Sequence, residues 1–96
     1  LPDTQAVICV SDLSAFGALT ECQRRGVNVP GKIAVAGFGD YEIAGICVPS
    51  LTTINPLPRE IGKQAAQLIL DVLDGRQADT ATIALEPILM RRKSTP

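Results

Sequence analysis

The chain has 96 residues, 46% of them hydrophobic and 20% charged, and its nine basic and ten acidic side chains leave a net charge of −1. That balance excludes a disordered tail and leaves no broad basic face for nucleic-acid phosphates, and the length suits one domain or part of one. Histidine is absent, which removes triads, histidine metal sites and imidazole acid–base chemistry.

Ala6-Val7-Ile8-Cys9-Val10 is continuously apolar and rich in β-branched residues, the pattern of a strand covered on both faces in a parallel sheet. Ser11 reads as a helix N-cap with Asp12 in the first turn. Ala15, Phe16, Leu19 and Cys22 then recur at helical spacing until Arg24-Arg25-Gly26, so a helix is expected over residues 12–25. Pro30 and Gly31 make a turn that launches Ile33-Ala34-Val35-Ala36 as a strand over 32–37. Strand, helix and strand form one right-handed βαβ unit, and the fold class is α/β. Gly37 and Gly39 end the second strand where backbone can approach another group closely, with Asp40 the first charge there.

Tyr41 to Pro49 has no clear period and reads as an apolar loop or short helix. Leu51-Thr52-Thr53-Ile54 is β-rich. Pro56 and Pro58 precede an amphipathic helix over 58–74, with Ile61, Ala65, Leu68, Ile69, Val72 and Leu73 on one stripe and Asp74-Gly75 at its end. Gln77 to Thr80 reads as a polar linker, and Ala81–Leu85 with Ile88–Met90 as a last strand region broken by Pro87. Arg91-Arg92-Lys93 reads as a solvated basic end.

Three cysteines with irregular spacing fit reduced, cytosolic thiols rather than a disulfide framework or zinc site, and no cofactor or metal is implied. No secretory signal or bilayer-length apolar run appears, so a soluble, cytoplasmic chain without a membrane partner is expected. Ser11 and Ser14 have no base nearby and no glycine elbow, so no catalytic residue is assigned and no enzyme is expected. Gly37-Phe38-Gly39 lacks the third glycine of a dinucleotide fingerprint, and no Walker loop is present. Two polar sites remain, Ser11-Asp12 after the first strand and Gly39-Asp40 after the second. Parallel strands put both at one sheet edge, where they can converge on a small polar ligand. Helix capping and turn formation are the competing uses of the two aspartates.

Ala6 to Leu19 (AVICVSDLSAFGAL), Val29 to Asp40 (VPGKIAVAGFGD), Pro49 to Ile54 (PSLTTI), Ile61-Gly62 with Ala65-Ala66, and Arg92-Lys93-Ser94-Thr95 resemble, in order, the C-terminal part of the LacI/GalR family of repressors. The resemblance implies a periplasmic-binding-protein-like (type I) three-layer sandwich with a parallel sheet, present as its C-terminal fragment. Residues 1–50 would belong to the C-terminal subdomain and 51–56 to a crossing hinge strand. Residues 57–80 would be a helix and linker returning to the N-terminal subdomain, and 81–96 the final strand and tail. It further implies a homodimer that touches DNA only through an N-terminal helix-turn-helix absent from these residues. The effector would be a sugar held by Ser11, Asp12, Gly39, Asp40, Asn55 and Pro56. Phe16, Leu19 and Cys47 would meet the partner subunit, unless Phe16 and Leu19 simply face the sheet.

Two positions depart from the family pattern. Ser11 stands where an asparagine is common, and Gly39 where the family usually has an aspartate that grips sugar hydroxyls. Loss of that carboxylate suits a sugar acid, and GFGD followed by an aromatic and Glu42-Ile43 resembles the gluconate-repressor branch. The expected function is effector binding and dimerisation in a sugar-responsive transcriptional regulator; the alternative is a stand-alone sugar-binding protein of a transport system.

Overall fold

The computed structural model of the chain describes residues 2–76 and 84–96. Its elements in order are β1 (Ala6–Ile8), α1 (Asp12–Arg24), β2 (Ala34–Ala36), α2 (Glu42–Ile46), β3 (Thr53–Asn55), α3 (Pro58–Leu73) and β4 (Ile88–Met90). β1 and β2 pair in parallel, with Ala6 opposite Ala34 and Ile8 opposite Ala36, so the expected βαβ unit is present. A parallel bridge from Ala36 to Thr52 brings the segment before β3 to the other side of β2. β3 then pairs antiparallel with β4, Thr53 opposite Met90.

Local chemistry explains most boundaries. Ser11 is extended and its hydroxyl accepts the Ser14 N–H, which starts α1 as an N-cap should. Gly26 ends the helix at a φ of 68°. The strands are shorter than their apolar runs, with a paired register of three residues in each. Tyr41 to Pro49 contains the short helix α2, with Ala44 buried against α1 and β2. Strand character at Ala81–Ile83 and the Gln77–Thr80 linker lie outside the described residues, and Ala84–Pro87 are irregular.

The core is small: Ala15, Leu19, Val35, Ala44 and Leu51 are buried, with Cys9, Ala18, Val29 and Cys47 packed around them. Leu19, expected at a subunit contact, is only 2% exposed inside this core, so it faces the sheet and cannot reach a partner. Phe16, one turn of the helix away, is 39% exposed. β1 also departs from expectation, since Ile8 and, just beyond the strand, Val10 are 85% and 86% exposed: among the described residues nothing covers that face of the sheet. α3 buries no residue at all.

The chain's last residues are only partly a solvated end: Arg91, Lys93 and Pro96 are exposed, but Arg92, Ser94 and Thr95 are drawn in. Ser94 is wholly buried between β2 and the segment before β3. Its N–H donates to Ser50 O at 2.8 Å and its carbonyl accepts Val35 N–H at 3.0 Å. Its hydroxyl donates to Val35 O at 2.6 Å and accepts Thr52 N–H at 2.8 Å. Thr52 Oγ1 in turn accepts the Arg92 N–H at 2.9 Å. Each polar group of the serine is thus used to join two strands.

Candidate functional site

At the carboxyl ends of β1 and β2 the polar residues form one connected network. Asp12 N–H donates to Phe38 O at 3.0 Å, tying the start of α1 to the loop after β2. The Asp12 carboxylate is wholly buried; Oδ1 accepts Thr53 Oγ1–H at 2.5 Å and Oδ2 accepts the Tyr41 N–H at 2.7 Å. Asp12 was expected to face a ligand. Instead both oxygens are engaged inside the protein, because three segments must be fixed at this corner and one ionised group can accept from two of them. Gly37 makes room for it: a Cβ there would collide with Asp12 Oδ1 and with Leu51.

Thr53 also accepts the Asp40 N–H at 3.3 Å, so its hydroxyl joins the two aspartates through the first residue of β3. Asp40, at a φ of 53°, turns its carboxylate toward the C-terminal tail. Arg92 Nη2 donates to Oδ1 at 2.8 Å and Asn55 Nδ2 to Oδ2 at 3.1 Å. The second Arg92 nitrogen, Nη1, donates to Leu51 O at 3.0 Å. This ion pair is 21% and 13% exposed on its two sides, so the solvated reading of the basic end fails for Arg92. Asn55 Oδ1 accepts the Leu57 N–H at 2.8 Å, which fixes the exit from β3.

Of the predicted site residues, Asp12, Asp40 and Asn55 are thus brought into one network, with Thr53 and Arg92 as members that sequence reasoning did not single out. Ser11 stands at its margin, half-buried, capping α1. Gly39 has a φ of 122°, which only glycine adopts easily, and its N–H donates to Ile54 O at 2.8 Å. Pro56 lines a pocket of about 290 Å³ with Phe38, Ile61, Leu85 and Pro87. The pocket's wall is apolar and the adjacent loop polar, the usual mixture of a small-molecule site. Among the described residues no group of three His, Cys, Asp or Glu is placed to hold a metal, and no helix is long and apolar enough to cross a membrane.

Cys47 lies behind the loop, half-buried, its thiol 3.3 Å from Pro49 O. Burial pushes this thiol above its ordinary pKa, outweighing the backbone hydrogen bonds of Cys47 and Leu51 and the Arg92 charge, which pull the other way. A raised value keeps the unreactive protonated form as pH climbs. Alkylation of Cys47 by iodoacetamide, followed by peptide mass spectrometry, is therefore expected to rise with pH through a midpoint above that of a short-peptide thiol; a lower midpoint contradicts the burial argument.

A family model described as a periplasmic binding protein-like domain matches residues 1–95. The chain belongs to the periplasmic binding protein-like domain family. Solved members agree with the fold. The transcription regulator GntR from Chromobacterium violaceum superposes with a TM-score of 0.90 at 39% identity over 98% of this chain and 35% of its own. The transcriptional regulator CelR in complex with cellobiose gives 0.90 at 33% identity over 97% of this chain and 28% of its own. Among curated relatives, the repressor CytR of Escherichia coli K12 is 37% identical over 94% of this chain and 26% of its own length. The chain thus spans about a quarter of such relatives, a fragment of a periplasmic binding protein-like α/β domain. These relatives are transcription regulators, not enzymes.

Proposed function

We propose that the chain is the effector-binding and dimerisation portion of a sugar-responsive transcriptional repressor, and that its effector is a sugar acid such as gluconate. The regulator reading is supported by its relatives, which include a ribose operon repressor of Bacillus subtilis at 34% identity; a stand-alone transport protein is the weaker reading of the same core. Residues 1–50 form one lobe of the effector cleft, 51–56 cross the hinge, 57–80 lead to the other lobe, and 81–96 return. Ser11, Gly39, Asp40, Asn55 and Pro56 edge the cleft, and Asp12 holds that edge in place. The assembled form is a cytoplasmic homodimer with Phe16 and Cys47 near the partner, and DNA is contacted through a helix-turn-helix outside these residues.

One observation carries the acid reading. The loop after β2 has no side chain at Gly39, and its one carboxylate, Asp40, is neutralised by Arg92 at 2.8 Å. No unpaired negative charge on this loop then repels an anionic ligand. Regulators named GntR stand among the relatives at 37% and 39% identity. Calorimetric titration of the full-length protein with gluconate and glucose tests the reading. Gluconate is expected to bind and glucose to bind far more weakly; tight glucose binding without a gluconate response overturns it. A secretory signal in place of a helix-turn-helix upstream of residue 1 would overturn the regulator reading.

A further inference from the structure

We propose that Tyr41 is the specificity-determining contact at the place where position 39 has no side chain, its phenol group taking the room and the ligand-facing role left vacant there. The inference rests on the reading of residues 39–40 as an edge of a sugar-binding cleft. A Cβ built on Gly39 would lie 2.8 Å from Tyr41 Cε1, 3.1 Å from Cδ1 and 3.2 Å from Cζ. The tyrosine ring therefore lies along the direction in which any residue-39 side chain would leave the backbone. Glycine and ring are a matched pair: the φ of 122° at residue 39 disfavours a side chain, and one placed there would have to displace the ring.

Tyr41 is anchored through its backbone and is about half exposed. Its backbone N–H is anchored on Asp12 Oδ2 at 2.7 Å, which fixes the position of the Cα, while the residue as a whole is 48% exposed. Asp40, the neighbouring polar group, is occupied by Arg92 and Asn55. What lies beside position 39 is thus an aromatic ring that carries a phenolic hydroxyl. A phenol can donate a hydrogen bond to a hydroxyl or a carboxylate without bringing a negative charge, whereas an ionised aspartate only accepts. The exchange of side chain for ring therefore changes the class of ligand group that fits, from donors alone to acceptors as well.

The test is calorimetric titration of the full-length protein and its Tyr41→Phe and Tyr41→Leu variants with gluconate, glucose, ribose and cellobiose, alongside unliganded melting curves. For the sugar that wild type binds, Tyr41→Phe is expected to weaken affinity about tenfold, the size of one hydrogen bond to a charged group, and Tyr41→Leu more, with melting temperatures unmoved. If wild type binds a neutral sugar and not gluconate, the acid reading fails and Tyr41 is judged on that neutral sugar. Unchanged affinity in both variants overturns the proposal, as does a loss of affinity matched by a fall in melting temperature, which makes the ring a structural prop. Binding of none of the four by wild type overturns the proposal together with the reading beneath it.

Discussion

Expressed on its own, the 96-residue chain is expected to aggregate or to melt over a broad range, whereas the full-length protein unfolds cooperatively. The cause is α3. Ile61, Ile69, Leu70, Val72 and Leu73 are each about half or more exposed on a helix that buries nothing. Leaving a large aliphatic side chain in water forfeits ~1.5–3 kcal/mol, so five of them approach or exceed the ~5–15 kcal/mol by which a whole domain is stable. The chain's dimensions agree, with a radius of gyration of 18.0 Å against about 12.5 Å for a compact chain of this length. Thermal melts followed by circular dichroism check this. A sharp two-state transition from a soluble monomer would show that α3 needs no cover, and the two-lobe arrangement would fall.

Asp12→Ala in the full-length protein is expected to lower stability by about 3 kcal/mol or more, measured by chemical denaturation. The substitution removes the acceptor for both Thr53 Oγ1–H and Tyr41 N–H in a place where the carboxylate is wholly buried. Hydrogen bonds to a charged group contribute ~1.5–3 kcal/mol each, and an orphaned buried N–H adds its own desolvation cost. Asp12→Asn keeps the shape and one acceptor oxygen, so it should cost roughly half as much. A loss below about 1 kcal/mol for Asp12→Ala would mean that water replaces the carboxylate and that the corner is not held by it.

The local part of the fold was legible in the sequence. The Ser11 cap, the βαβ unit and the span of α3 follow from chemistry within a few residues, and the structure repeats them within a residue or two at the helix ends. What was illegible depends on separation along the chain. Arg92 looked like one of three solvated basic residues because its partner Asp40 lies 52 residues away. Thr53 looked like β-propensity, and its bond to Asp12 spans 41 residues. Leu19 could not be assigned to core or surface from α1 alone, since residues 13–19 are apolar around much of the helix and the sheet decides which of them is covered. Asp12 was ambiguous between a helix-start residue and a ligand contact; its buried carboxylate instead bonds Thr53 and Tyr41, 41 and 29 residues away, which neither local reading contains. The place of Gly39 was visible, but the tyrosine ring beside it was not, because spacing says nothing of where a side chain turns.

The buried serine near the C-terminus has a consequence for how the polypeptide is made. Ser94 reaches Val35 across 59 residues and Thr52 across 42. As the chain is synthesised from its N-terminus, β1, α1 and β2 emerge long before the serine that adds its bonds to β2 and to the segment ahead of β3. Until then Val35 N–H and O, Thr52 N–H and Ser50 O lack their final partners. The bonds that Ser94 makes therefore form only after a long stretch of chain has been added, and contacts of such wide separation favour slow completion and leave part of the β2 edge unpaired meanwhile.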